Sequence, residues 1–277
     1  MPNLILGSKS PLFTMVPSLQ ILGTVPIFVL GVCLGSFLNC VIYRLEKKQS
    51  FLKGRSFCPK CHHQLTFLDL IPILSFIFLK GKCRYCGEKI SWHYPLVELA
   101  SGVIFLLNFW HLGFRFDLLS GIWFLDLTYL VLISCFLIII FVYDFKYYLI
   151  PDKIIWPAIG ISLIFNLSKT TFFPSLLTGL AGGSFFFLIW LISQGKWMGF
   201  GDVKLAFLLG LFLGFPKTLL AFFLSFLIGA IIGIGLVIFG KKKFQDEIPF
   251  GPFLISSGFL SLFWGEKIIS YYFKIFG

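Results

Sequence analysis

Long apolar runs, separated by short polar or basic segments, make up most of the chain. Several runs approach the ~20 residues that a helix needs to cross a bilayer. They lack the period-two alternation of a membrane barrel, so helices are expected, because a helix satisfies its own backbone in hydrocarbon. The pattern predicts an all-α polytopic membrane protein with about eight transmembrane helices. The predicted spans are residues 20–43, 95–113, 118–143, 152–168, 172–193, 203–215, 217–240 and 250–273.

The composition agrees with a membrane protein. The 277 residues are 58% hydrophobic and 13% charged, with a mean hydropathy of +0.94, whereas soluble domains carry about 25% charged residues. A net charge of +11 would suggest nucleic acid binding in a soluble protein, but basic cytoplasmic loops explain it here. We therefore expect the lipid bilayer as a partner and no nucleic acid. Residues 1–18 show no secretory cleavage signal, so the first apolar run is expected to remain as a span.

The distribution of Lys and Arg orients the predicted spans. The loop at residues 44–94 holds ten of the 23 basic residues, other loops on the same side hold seven, and the opposite side holds six. Because positive charge marks the cytoplasmic side, this loop is predicted to be cytoplasmic, with both termini outside. The predicted organisation is an external segment at 1–19, a first transmembrane helix at 20–43, the loop at 44–94 and a seven-helix membrane core at 95–277.

The 44–94 loop contains two Cys-x-x-Cys pairs, Cys58 with Cys61 and Cys83 with Cys86. Four thiolates can form the tetrahedral set that structural Zn²⁺ prefers, and four sulfur ligands leave no open position for catalysis. The alternative is two disulfides or a redox pair, and a reducing cytoplasm disfavours disulfides. We therefore predict a cytoplasmic zinc-binding loop between the first two spans.

Two carboxylates, Asp144 and Asp202, are expected at the cytoplasmic ends of the third and sixth spans. Asp144 follows an apolar run, and Asp202 stands in a Gly-x-Gly-Asp sequence whose glycines would let the backbone approach a substrate closely. Two aspartates a few ångströms apart cannot both ionise easily, so one can donate a proton while the other takes one from water. Such a pair could hydrolyse a peptide, and a proton relay in a transporter fits it equally well. Asp152, which follows a proline, is expected to cap the fourth helix.

Seven motifs in this order resemble the type IV prepilin leader peptidase/N-methyltransferase family over nearly the whole chain. They are Gly35-Ser-Phe-Leu-Asn-Cys-Val-Ile-Tyr-Arg44, the two cysteine pairs with Ile71-Pro-Ile-Leu-Ser75 between them, Tyr94-Pro-Leu-Val-Glu98, Asp144 with Ile150-Pro-Asp152, Gly199-Phe-Gly-Asp-Val-Lys204 and Ile248-Pro-Phe-Gly-Pro252.

The resemblance implies a bifunctional enzyme of the bacterial cytoplasmic membrane that acts on prepilins and pseudopilins. Such an enzyme cuts a basic leader after a glycine on the cytoplasmic side. It then methylates the new N-terminal amine, usually of Phe, with S-adenosylmethionine as the methyl donor. Carried over by motif, Asp144 and Asp202 are the catalytic pair, and the cysteine loop belongs to the methylating half.

The position of the methyl-donor site is a separate expectation. No glycine-rich Rossmann signature follows a predicted strand. We assign the site to Gly35, Asn39, Arg44 and Glu98, which are polar or backbone-permissive groups at the cytoplasmic membrane edge. Packing of the first span accounts for Gly35 and Asn39 nearly as well.

Three alternative functions use the same residues differently. A presenilin-like intramembrane aspartyl protease shares Tyr143-Asp144 and Gly-x-Gly-Asp, but expects Pro-Ala-Leu where this chain has Ile-Pro-Phe-Gly-Pro. A proton-coupled transporter would use both aspartates as a relay and expects internal repeats, which this sequence lacks. A zinc-stapled membrane scaffold would need neither aspartate.

Overall fold

The computed structural model describes residues 16–50, 54–113, 122–169, 171–239 and 248–276. Within these ranges every long element is an α-helix, and two isolated bridges are the only β structure. The predicted all-α class is therefore confirmed. The helices are α1 (Val16–Glu46), α2 (Leu74–Phe78), α3 (His93–Leu112), α4 (Ile122–Tyr147), α5 (Asp152–Leu167), α6 (Phe172–Ser193), α7 (Phe200–Leu213), α8 (Lys217–Ile238) and α9 (Gly251–Phe276), and a short 3₁₀ helix covers Phe67–Leu70.

Five of these helices are long and apolar enough to cross a bilayer, which makes the chain a multi-pass membrane protein. They are α1 from Gly23 onward, α3, α4 from Trp123 onward, α6 and α8. Helices α5, α7 and α9 also lie where spans are predicted, and the total of eight spans stays a prediction. The predicted external segment at 1–19 lies largely outside the described residues, as does the start of the third predicted span.

Two predicted span ends differ from the structure in a way that matters for the site. Helix α4 continues to Tyr147, so Asp144 lies in its last turn rather than after the span. Helix α7 begins at Phe200, so Asp202 lies in its first turn rather than before it. Hydropathy falls where these polar side chains occur, but the helical backbone continues through them. Both carboxylates are therefore held on helices and not on loops.

The chain divides into two compact units. The first comprises residues up to Asn39 and Gly54–Thr128, and the second comprises Cys40–Lys53 and Tyr129 onward. Compact units do not reveal which segment carries which function, so the functional division predicted at 44–94 and 95–277 stays a prediction.

In the first unit, α1 and α3 approach each other through small residues. A Cβ atom at Gly31 would lie 2.8 Å from the Cα of Gly102, and one at Gly35 would lie 2.8 Å from the Cα of Glu98. Residues without side chains one helical turn apart let two membrane helices touch along their backbones. This close contact holds α1 against the first turns of α3, where the chain leaves the cysteine loop.

Helix α7 lies at the centre of the second unit. Eight of its 14 residues are buried, and it contacts α5, α6, α8 and α9. A Cβ atom at Gly210 would lie 2.5 Å from the Cα of Gly179, so the backbones of α6 and α7 are in direct contact. This packing holds the first turn of α7, and therefore Asp202, in a fixed position.

Candidate functional site

The second unit brings together the two sequence-predicted carboxylates. Asp144, in the last turn of α4, is 5% exposed, and Asp202, in the first turn of α7, is 7% exposed. They lie near enough for their charges to interact. Burying ionisable groups is costly without partners, so the contacts of each carboxylate decide what the pair can do.

Backbone N–H groups at two helix starts hold these carboxylates. The Gly251 N–H, at the beginning of α9, donates to Oδ2 of Asp144 at 3.1 Å. The Gly199 N–H, just before α7, donates to Asp202. Helix N-termini favour negative charge, so both contacts stabilise an ionised form. Gly251 belongs to the Ile-Pro-Phe-Gly-Pro motif, to which sequence reasoning assigned no role in the site.

Gly201, the second glycine of Gly-x-Gly-Asp, serves packing within the chain. A Cβ atom there would lie 2.8 Å from the Cβ of Ile150. A Cβ atom at Gly199 would meet only ordinary contacts, at 3.7 Å from Asp202 Oδ2. The close approach expected of the glycines therefore occurs at Gly201, but its partner is Ile150.

Lys204 links the beginnings of α5 and α7. Its Nζ donates to Oδ1 of Asp152 and lies 5.5 Å from the ring centroid of Trp156 and 5.2 Å from that of Phe200. The predicted cap at Asp152 is wrong, because α5 begins at Asp152 itself without a side-chain cap hydrogen bond. The carboxylate binds Lys204 instead. This ion pair and the contact at Gly201 hold the start of α7 against the chain that follows α4.

In the first unit, the four sequence-predicted cysteines form one cluster. The Sγ atoms of Cys58, Cys61, Cys83 and Cys86 all lie within 4.8 Å of one another, and those of Cys58 and Cys86 are 3.9 Å apart. Four sulfurs at the usual zinc–sulfur distance stand about 3.8 Å apart. All four are free thiols, so the disulfide alternative is not supported. The cluster fits a tetrahedral metal ion.

The two cysteine pairs have the same backbone structure. In each, the N–H of the first cysteine donates to the carbonyl five residues later, and the N–H four residues later donates back to that cysteine's carbonyl. The residue four positions after the first cysteine has positive φ in both, 56° at His62 and 70° at Gly87. An isolated β-bridge flanks each pair. The sequence does not reveal that the two cysteine pairs share this backbone conformation. A positive φ suits glycine, and the first pair has His62 at that position.

The backbone prepares the cluster for a metal. Burial raises the pKa of the Cys58 thiol, but hydrogen bonds from the backbone N–H groups of Cys61 and Lys60 and from neighbouring thiols outweigh it and bring this pKa to about 7. The backbone N–H groups therefore favour the thiolate form of Cys58, which is the form that binds a metal.

Asp69, which sequence reasoning missed, ties the segment between the cysteine pairs to the second pair. It accepts hydrogen bonds from the N–H and hydroxyl of Thr66, from Nε of Arg84 at 2.7 Å and from the hydroxyl of Tyr85 at 3.1 Å. Burial raises the pKa of Asp69, but these hydrogen bonds outweigh it and hold the pKa below its usual value. The contact involves a residue distant in sequence, so no local pattern could indicate it.

Comparisons with known proteins agree with the geometry. The family model "Bacterial Peptidase A24 N-terminal domain" matches residues 29–112, and "Type IV leader peptidase family" matches residues 131–234. The chain is 34% identical to the prepilin leader peptidase/N-methyltransferase of Bacillus subtilis (strain 168), over 90% of this chain and 97% of the relative. The chain belongs to the type IV leader peptidase family. Its relatives in this family include prepilin leader peptidase/N-methyltransferases of Stutzerimonas stutzeri, 33% identical over 88% of this chain and 91% of the relative, and of Pseudomonas aeruginosa, 31% identical over 90% and 93%.

No solved structure matches the chain. Membership in the leader peptidase family favours the peptidase interpretation over the presenilin-like, transporter and scaffold alternatives.

The relatives' names also include methyl transfer, for which the sequence predicts Gly35, Asn39, Arg44 and Glu98 as the methyl-donor site. Glu98 is buried, and its Oε2 accepts the Ile73 N–H at 2.7 Å, while Ser36 also hydrogen-bonds the carboxylate. Ile73 has φ 61° and ψ −50°, and the N–H that follows it donates to the Pro72 carbonyl, which is a strained γ-turn. Glu98 therefore holds a strained turn of the cysteine loop, and Gly35 packs against the backbone at Glu98.

Asn39 differs from Arg44 in that one of its hydrogen-bond acceptors is buried without a partner. Asn39 Nδ2 donates to the Tyr94 carbonyl at 3.0 Å, while its buried Oδ1 has no hydrogen-bond partner. Arg44 belongs to the second unit, where it is buried and donates to the Ser50 carbonyl at 3.2 Å. Of the four residues, Asn39 alone thus has a buried acceptor that lacks a partner, and this is the observation that fits a bound ligand.

Proposed function

We propose that this chain removes the leader from prepilins and pseudopilins and then methylates the new N-terminal residue, at the cytoplasmic face of the bacterial inner membrane. The observation that carries the cleavage activity is the buried, interacting pair Asp144 and Asp202. Three relatives from different bacteria carry the name prepilin leader peptidase/N-methyltransferase. Their similarity extends over nearly the whole chain, so both activities are proposed for it.

In the proposed cleavage, the two carboxylates share one proton, because two like charges at close range are unfavourable. The ionised carboxylate removes a proton from water as the water oxygen attacks the scissile carbonyl carbon. The protonated carboxyl gives its proton to the carbonyl oxygen. As the resulting tetrahedral intermediate collapses, one of its hydroxyl groups returns a proton to the carboxylate that had protonated the carbonyl oxygen. The C–N bond breaks, and the departing amine takes the proton that came from water, which restores the starting state of the pair. The proton state belongs to the pair rather than to either residue.

Replacement of either carboxylate tests this mechanism. Asp144→Asn or Asp202→Asn removes a group that must exchange a proton, which is expected to lower kcat for leader removal by at least ~10²-fold. Asp126→Asn, a change of the same kind earlier in α4, is the matched control and should cleave normally. The measurement is the intact mass of a prepilin co-expressed with each variant. Substantial cleavage by either Asp144→Asn or Asp202→Asn, with the protein correctly inserted, would falsify the pair.

For the methylating activity, S-adenosylmethionine would supply an electrophilic methyl group to the new N-terminal amine. Asn39 is the proposed contact, because its buried Oδ1 can accept a hydrogen bond from an N–H of either reactant. Glu98 is proposed to act through the loop turn at Ile73 that it holds, as a positioning residue. In the intact-mass experiment, Asn39→Ala should give a pilin that is shortened but lacks the extra methyl group.

The cysteine cluster is proposed to hold structural zinc. Four thiolates with matching separations suit Zn²⁺ and leave no coordination position for a substrate. The metal would fix the fold of the cysteine loop, whose turn at Ile73 reaches Glu98. This assignment separates the roles of the two sites: the aspartates cleave, and the metal supports the loop.

A further inference from the structure

The cysteine loop exposes an unusual number of large apolar side chains. Phe67 is 82% exposed, Phe78 is 79% exposed and Trp92 is 71% exposed, although this loop lies outside the predicted spans. Contiguous exposed apolar surface on a folded protein indicates a surface that binds something. We call this set the interfacial patch. Its members are Phe67, Leu68, Leu74, Ile77, Phe78 and Trp92.

Contacts within the first unit locate the patch beside the start of a membrane helix. The Ile73 N–H binds Glu98, which lies about 7.5 Å along α3 from its first residue. The Phe76 ring lies 4.8 Å from the ring of Trp92, which directly precedes α3. Since α3 is long and apolar enough to cross the bilayer, α2 lies beside the turns with which this helix enters the membrane.

The patch continues the outer face of α3. On that helix Leu96, Leu99 and Val103 are exposed and lie on one side. Ser101 and Phe105 lie on the opposite side, which packs on α1. Exposed apolar side chains on a spanning helix face lipid. Aromatic residues such as Trp92 are enriched where such helices meet the polar boundary of the bilayer. The patch therefore adjoins α3 through Trp92, which contacts Phe76 and directly precedes this helix.

The charge around the patch indicates which lipid it meets. Residues 54–92 contain six Lys and Arg but two acidic residues. Asp69 is bound by Arg84, and Glu88 lies 3.9 Å from Lys60. Lys80 and Lys82 are exposed and follow α2 directly. Basic side chains next to exposed aromatic residues are typical of segments that lie on an anionic membrane surface.

We propose that the interfacial patch docks the cysteine loop onto the anionic leaflet of the same bilayer, with Phe67, Phe78 and Trp92 inserted at the headgroup boundary and Lys80 and Lys82 on the headgroups. The surface is independent of the proposed chemistry, because it rests on exposure, position and charge alone. Docking would keep the metal cluster at the membrane surface instead of free in the cytoplasm.

The test uses the full-length protein in lipid nanodiscs with the photoreactive residue p-benzoylphenylalanine in place of Phe78 or of Phe67. The matched control carries it in place of Gln64, which is exposed in the same loop next to the first cysteine pair. The nanodiscs contain phosphatidylcholine alone or mixed equally with phosphatidylglycerol. Intact mass spectrometry after irradiation measures lipid adducts, and the midpoint of thermal unfolding verifies that each variant is folded.

We expect adducts at positions 78 and 67 to exceed those at position 64 severalfold, and to increase when phosphatidylglycerol is present. Lys80→Gln with Lys82→Gln should remove that increase, because the attraction to anionic lipid comes from these charges. Equal adduct yields at positions 64 and 78 would overturn the docking, and equal yields in the two lipids would overturn the preference for anionic lipid. Adducts that move from lipid to an added prepilin would assign the patch to substrate and also overturn the proposal.

Discussion

The contact between Gly251 and Asp144 allows a quantitative test of how closely the proposed catalytic pair is positioned. The Gly251 N–H donates to Asp144 Oδ2, and a Cβ atom built on Gly251 would lie 2.5 Å from that same oxygen and 3.2 Å from the carboxylate carbon. Carbon and oxygen atoms in contact are about 3.3 Å apart or more. The substitution Gly251→Ala therefore requires the two residues to separate by about 0.8 Å.

The expected cost follows from this displacement. A reacting group that is misplaced by about 1 Å loses roughly 10²-fold in rate, which corresponds to about 2.7 kcal/mol in the activation free energy. Because Asp144 lies within the last turn of α4, its backbone cannot follow the side chain freely. We therefore expect Gly251→Ala to lower kcat for leader removal by about 10²-fold, with a smaller effect on KM.

The assay is single-turnover cleavage of a purified prepilin in nanodiscs, with the midpoint of thermal unfolding measured in parallel. Gly160→Ala is the matched control, since Gly160 is also in a helix and a Cβ there would meet no atom within 4 Å. This control should cleave normally. If Gly251→Ala cleaves at the wild-type rate while remaining folded, then the position of Asp144 does not limit catalysis and the reasoning from this contact is wrong.

Two further predictions concern the metal and the ion pair. Cys58→Ser with Cys61→Ser should remove bound zinc, measured as metal per purified chain, while Cys33→Ser should not; unchanged zinc in the double variant would contradict the four-thiolate site. Lys204→Met should slow cleavage. Exchanging the two charges in a Lys204→Asp, Asp152→Lys double variant should restore part of the rate. The recovered activation free energy should be about 1 kcal/mol or less, because the Asp152 side chain is 64% exposed. A charge-exchanged variant that is slower than Lys204→Asp alone and than Asp152→Lys alone would exclude a positioning role for this ion pair.

Sequence patterns could predict the features that depend on composition along the chain. Apolar runs predicted an all-helical membrane protein, and the spacing of the cysteines predicted the cluster that the fold assembles. Asp144 and Asp202 could be selected because carboxylates next to apolar runs are rare and costly. Their separation in sequence is large, but their expected location at one membrane edge was enough to suggest that they meet.

Features that depend on contacts between distant residues could not be predicted. The hydropathy pattern predicted span ends at the polar side chains, whereas helix α4 continues beyond Asp144. The N–H donor of Gly251 comes from a helix start that no pattern near either aspartate indicates. The strained turn at Ile73 is likewise bound by Glu98, a residue distant in sequence, and a β-branched residue gives no local signal for positive φ.

The shortness of α7 has a consequence for how water reaches the peptide bond. Its 14 residues span about 21 Å, whereas the hydrocarbon layer is about 30 Å thick. A helix of this length leaves roughly 9 Å of that layer uncrossed. Because α7 is enclosed by α5, α6, α8 and α9 rather than by lipid, we expect the uncrossed part to be a recess within this unit. Hydrolysis consumes one water molecule at each cleavage, and a recess at the Asp202 end would shorten the path by which that water arrives.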